Sequence, residues 1–179
     1  MRHGQRWRED GMRAWKDASM DTRIINQQLL DTVSGAAKDS PRRRKNLNFH
    51  PDDEAPCHRL LNAMEPGSYI PPHRHISPEK DESIIVLRGR LGVVFFDNGG
   101  NIRETALLTP GGDAMGVNIP HGDFHTVVSL ESGTVFFESK AGPYRPVTQE
   151  ERPPWAPEEG NAAAAPYLAE LLELWSNPD

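Results

Sequence analysis

The stretch Glu82-Ser-Ile-Ile-Val-Leu-Arg-Gly-Arg-Leu-Gly-Val-Val-Phe-Phe-Asp-Asn-Gly-Gly-Asn101 decides the fold class. It holds two apolar runs of strand length, Ser83 to Leu87 and Leu91 to Asp97, split by the turn Arg88-Gly89-Arg90. Both runs are short and rich in β-branched and aromatic residues, so they read as strands and not as turns of a buried helix. Asn98-Gly99-Gly100 then supplies residues that tolerate positive φ before the next run, Arg103 to Leu108, which predicts a hairpin. Outward from this core the same pattern recurs at Leu47 to Phe49, His58 to Met64, Ala114 to Ile119, Thr126 to Leu130 and Thr134 to Lys140. Turns at Pro66-Gly67, Pro110 to Asp113 and Glu131 to Gly133 punctuate them. Seven or eight short strands without alternating helices predict an all-β sandwich or barrel and exclude a βαβ architecture.

The flanks read differently. Residues 1–19 lack a sustained period and read as a disordered tail, with Met20 as an alternative start. Residues 20–40 form a helical arm: Ile25, Leu29, Leu30 and Val33 fall at helical spacing, Asn26 is a candidate N-cap, and Ser40-Pro41 is a stop. After residue 141 the chain turns rich in Pro and Glu up to Gly160, a surface wrap. A docking helix follows from Pro166 to Trp175, with Leu168, Leu171, Leu172 and Trp175 on one stripe.

Composition narrows the function classes. The longest apolar runs, Ile84 to Leu87 and Val93 to Phe96, fall far short of the roughly 20 residues a membrane span needs, so no membrane partner is expected. The net charge of −6 argues against a general nucleic-acid binder. The N-terminus carries no apolar signal region, and Cys57 is the single cysteine, so the expected compartment is a reducing cytoplasm. Cys57 itself reads as a packed strand residue.

Two segments carry the chemistry. In Gly67-Ser-Tyr-Ile-Pro-Pro-His73-Arg-His75, the i, i+2 spacing on a strand turns both imidazoles to one face. A carboxylate from the next strand would complete a 2-His-1-carboxylate set suited to a divalent transition ion. Pro120-His-Gly122-Asp-Phe-His125 supplies a third imidazole after a tight turn. The carboxylate is Glu79 or Glu82. Glu82 is preferred because it opens a strand with Ile84 and Val86 on its inward face, whereas Glu79 follows Pro78 in a loop. His121 reads as a solvated turn residue, and His3 and His58 as surface or packing residues.

These segments resemble the two motifs of the cupin superfamily. The first motif has a glycine, five residues, His-x-His, a glutamate and a later glycine, and it matches Gly67, His73, His75 and Gly89. Glu79 has the family's spacing from His75, and Glu82 has its spacing to Gly89. The second motif matches Pro120-x-Gly122-x2-His125, with Ser129 where the family has Asn and Phe124 where it has Trp. Residues before the motifs (Ser40 to His50) and after them (Gly142-Pro-Tyr and Pro154-Trp155-Ala156-Pro157) look like the WbuC-type cupin metalloproteins. The resemblance implies a cupin jelly-roll β-barrel over residues 41–141, with short N-terminal and C-terminal helices. It implies one divalent transition metal (Fe, Mn, Ni or Zn) on His73, His75, Glu82 and His125, and a link to polysaccharide biosynthesis.

The run Arg42-Arg-Arg-Lys45 is followed by alternation: Leu47 and Phe49 point one way, and Arg42, Arg44, Asn46, Asn48 and His50 the other. If the apolar pair packs under a covering segment, the polar face looks into the barrel mouth; otherwise it is a solvated face. Arg44, Asn48 and His50, with Tyr69 near the metal, are therefore the expected contacts of a small polar or anionic ligand. The expected function is a metal-dependent isomerase, epimerase, lyase or oxygenase acting on a sugar or hydroxy/keto acid. The alternative is a non-catalytic ligand-binding or regulatory module with a structural metal. A homodimer is expected, because Ile24, Ile25, Leu29 and Leu30 give the arm more apolar face than a lone helix hides.

Overall fold

A computed structural model of the chain describes residues 23–176, so the expected tail over residues 1–19 lies outside the described residues. Helix α1 spans Gln27–Lys38, eight strands follow, and helix α2 spans Ala164–Glu173. The strands are β1 (Arg44–Asn48), β2 (Cys57–Met64), β3 (Glu82–Arg88), β4 (Leu91–Phe96), β5 (Ile102–Leu108), β6 (Gly116–Ile119), β7 (Phe124–Ser129) and β8 (Thr134–Ala141). All eight expected strands are present, with ends shifted by at most three residues.

The strands form two antiparallel sheets, ordered β1-β2-β8-β3-β6 and β5-β4-β7. An isolated bridge between His73 and His125 lays the segment around His73 beside β7. The second sheet therefore runs bridge-β7-β4-β5 against β2-β8-β3-β6, which is the interleaved order of a jelly roll. The expected closed barrel is corrected to two facing sheets, since no strand ladder joins them among the described residues. Alternation along the strands supplies the layers. Ile84, Val86 and Phe136 of the first sheet meet Leu91, Val93, Phe95 and Val127 of the second in the central core. The opposite face of the second sheet (Val94, Phe96, Val128) is covered by α2 through Ala164, Leu168 and Leu171.

Helix α1 covers the outer face of the first sheet. Asn26 caps it as expected, its side chain accepting from the Leu29 N–H at 3.0 Å. Leu30, Val33 and Ala37 pack on Leu47, Leu61, Ala63 and Val135. Ile25 lies before the cap and does not join this face: Ile24 and Ile25 are 72% and 43% exposed. Cys57, expected to be packed, is exposed. It shares its outward parity with Leu61 and Ala63, but α1, about 18 Å long for its 12 residues, covers only the far half of β2. No described helix is long and apolar enough to cross a membrane.

Candidate functional site

The inner face of the first sheet is read in rows, because residues in register point the same way. One row runs His58, Lys140, Glu82; the next runs Asn48, Leu60, Glu138, Ile84. A third runs Asn46, Asn62, Phe136, Val86, and a fourth runs Arg44, Met64, Thr134. The β3 side is apolar apart from Glu82, while the β1 and β2 side is polar. That asymmetry leaves an open cavity of about 760 Å³ along the polar side, roofed by the Pro-rich segment that contributes Tyr144, Val147, Pro157 and Glu159.

His73, Glu82 and His125 line this cavity. His125 shares its parity with the core residue Val127, which turns it inward. His73 exchanges both backbone hydrogen bonds with His125, at 3.0 and 2.9 Å, and the Gly122 N–H donates to the His75 carbonyl at 2.7 Å. The expected strand through His73 and His75 is thus one bridge in an extended segment. Pro71 and Pro72 have no N–H to offer a ladder, and Pro78 ends the segment. The three imidazole centroids lie 4.7 to 6.3 Å apart.

Tautomers follow from the outer partners. Nδ1 of His73 donates to the Pro71 carbonyl at 3.1 Å and Nδ1 of His125 to the Asp123 carbonyl at 2.9 Å, so in each ring Nε2 keeps its lone pair. Nε2 of His75 lies 3.2 Å from Oε2 of Glu82. Burial, with His125 beside it, lowers His73 to about 3, and burial also lowers His125, so both are neutral near pH 7. Burial would raise Glu82, but Lys140, the His75 hydrogen bond and the other imidazoles outweigh it and hold the carboxyl well below its usual range. Glu79 is exposed in a turn, where Ser77 donates to it, so only Glu82 shares a site with the histidines.

The donor chemistry fits a divalent ion: the neutral imidazoles of His73 and His125, the His75 ring and one ionised carboxylate. The side chains are not drawn into a ligand shell, however. Among the described residues no group of three or more His, Cys, Asp or Glu is set to hold an ion. His75 and Glu82 are paired with each other, so an ion would have to enter between them.

Sequence reasoning missed the network behind Glu82. Lys140 Nζ sits 3.4 Å from Glu82 and 2.7 Å from Glu138, and Asn62 donates to Glu138 at 2.6 Å. Burial and the charge of Glu82 push Glu138 up; burial works against the charge of Lys140, but its two carboxylate partners raise it. The signal was present, since Glu138 and Lys140 share the parity of the buried Phe136. Glu151 was also missed. Buried in the roof, it accepts from the Ile76 and Thr148 N–H groups at 3.2 and 2.9 Å, while its carbonyl accepts from the Arg74 N–H at 3.0 Å, pinning the histidine segment from outside.

The expected ligand contacts separate. Leu47 and Phe49 do pack under a covering helix, and Arg44, Asn48 and His50 line the cavity. His50 stacks on His58 with centroids 3.9 Å apart, beside the Glu82 row, and burial lowers its pKa. Asn48 is one row further and Arg44 three rows further. Tyr69 does not line the cavity: it packs with α2, and its hydroxyl donates to the Pro157 carbonyl at 2.7 Å. Its parity with His73 fails because the intervening prolines are not in a strand. His121 is half-exposed against Asp81, 2.8 Å away, as a solvated turn residue would be.

A family model described as Domain of unknown function (DUF6016) matches residues 25–108. Comparison with curated proteins finds no match. Among solved structures the chain is similar to KdgF from Halomonas sp., at 22% identity over 57% of this chain and 80% of that one, with TM-score 0.42. It is also similar to a conserved SPY1581 protein of unknown function from Streptococcus pyogenes, at 10% identity over 72% and 95%, with TM-score 0.48. An oxalate oxidase in complex with the substrate analogue glycolate is similar at 18% identity over 62% and 57%, with TM-score 0.48. These are likenesses of fold, and none assigns this chain a substrate.

Proposed function

We propose that the chain is a cupin-type metalloprotein of the WbuC kind, its two sheets curved toward a barrel around the cavity. It acts as a homodimeric enzyme on a small polar or anionic molecule such as a sugar or hydroxy/keto acid. His73, His75, Glu82 and His125 hold one divalent transition ion, Fe, Mn, Ni or Zn. The observation that carries this reading is the pair of Nδ1 to carbonyl hydrogen bonds at His73 and His125, which leaves two neutral Nε2 atoms beside an ionised carboxylate. Bound there, such an ion supplies Lewis acidity toward a carbonyl or hydroxyl oxygen.

The remaining roles belong to the chain. Lys140 orients Glu82 and keeps it ionised, so that losing the His75 contact to an ion does not leave the carboxylate unbalanced. His58 and His50, beside Lys140 along the sheet, offer ring nitrogens to a ligand's hydroxyl or carboxylate groups. The test is the visible spectrum of the cobalt(II)-loaded protein with added lactate. A shifted spectrum is expected of a site with an exchangeable position. An unchanged spectrum at saturating lactate, with metal affecting only the melting temperature, would replace the enzyme by a binding module with a structural ion.

A further inference from the structure

At the far end of the cavity the chain grips one of its own carboxylates. Arg42 donates to Glu159 through Nε and Nη2 at 3.0 and 2.7 Å, and the two guanidinium nitrogens of Arg44 lie 2.9 Å from the two Glu159 oxygens. One carboxylate thus sits in two forks, with a surplus of one positive charge. Arg44 is the preorganised fork, and Arg42 is 62% exposed. Arg43, between them, holds a φ of 55°, a left-handed conformation unusual for a side-chain-bearing residue, at the entry to β1. Arg44 also donates to the Tyr69 carbonyl at 3.0 Å, so its guanidinium keeps its place when Glu159 is removed. Glu159 itself is 37% exposed at the end of the roof segment, whereas Arg44 is 15% exposed and lines the cavity.

We infer that Arg42 and Arg44 form a carboxylate-binding site whose built-in competitor is Glu159, and that a carboxylate-bearing ligand enters by displacing it. The carboxylate class follows from the occupant: the two forks already hold that planar, two-oxygen group by charge-assisted hydrogen bonds. Arg44 stands three rows from Glu82, about 20 Å along the strands, so this end binds its carboxylate without help from the histidine cluster. The inference rests on reading the cavity as a ligand site, and not on its metal.

Calorimetry with succinate, and with succinamide as neutral counterpart, tests it on the full chain. Glu159→Gln keeps the side-chain shape while removing the competing charge; it should bind succinate at least tenfold more tightly than the native chain. Adding Arg44→Ala should abolish the gain, and succinamide should bind neither form. In the native protein, succinate should also speed amide exchange at Asn161, whose N–H donates to the Glu158 carbonyl, as the roof segment lets go, a readout needing no variant. Unchanged affinity in Glu159→Gln, a gain that survives Arg44→Ala, or unaltered exchange under saturating succinate would reduce the ion pairs to a structural tie. Metal content measured on the same samples separates failure of this site from failure of the metal reading.

Discussion

The Lys140 ammonium, between two buried carboxylates, is the residue on which the cavity's electrostatics turns. Lys140→Met would leave Glu82 and Glu138 facing each other without a counter-charge, and removing one partner of a buried ion pair costs about 3–5 kcal/mol. Urea denaturation at pH 7 should show a loss of that order, shrinking toward pH 4 as a carboxyl takes up a proton; a loss that does not shrink on acidification would place the defect in packing instead. The histidines give a second dependence on pH. His73 and His125 have folded pKa values below the ordinary 6.5, so the stability they confer is complete above that pH. It is lost as the pH falls toward about 3 for His73. In metal-free protein each should cost up to about 1.4 kcal/mol per pH unit below 6.5, because the unfolded chain binds protons that the fold refuses. Denaturation midpoints at pH 7.5 and 5.0 should differ accordingly, and less in His73→Gln; equal midpoints would mean that these rings are hydrated and protonate freely. Glu82→Gln should weaken metal binding far more than Glu79→Gln, since only Glu82 shares a site with the imidazoles; the reverse order would make Glu79 the ligand.

At the scale of elements, the strands were legible because glycine and proline mark their ends and β-branched runs fill them, as in Ser83 to Leu87. The flanking helices were legible from their apolar stripes and, for α1, from Asn26. Leu30→Ala, emptying a side chain packed between α1 and the sheet, should cost about 2–5 kcal/mol, and Asn26→Ala about 1 kcal/mol. Equal melting temperatures for Leu30→Ala and the native chain would mean that α1 does not contribute to the folded core. Illegible were features set by what covers what. Parity says which residues share a face of β2, but not that α1 stops short of Cys57. The spacing of His73 and His75 names an extended pair, but not that Pro71 and Pro72 leave it one bridge. Glu138 and Lys140 were readable as a charged pair on a strand, yet their burial depends on the open space left beside β1, which no local pattern encodes.

For the whole molecule, α1 packs on its own sheet, so the apolar surface left at the N-terminal arm is that of Ile24 and Ile25. If the proposed homodimer forms through this arm, light scattering at tens of micromolar should give twice the chain mass and a chain starting at Pro41 should be monomeric; a monomeric full chain would remove that assembly. Elemental analysis of protein purified without a metal-affinity tag should find close to one divalent transition metal per chain, falling to background in folded His75→Ala and His125→Ala. Metal at background in the native protein even after incubation with Fe(II), Mn(II), Ni(II) and Zn(II), or near-stoichiometric metal in both variants, would contradict the proposed metal site.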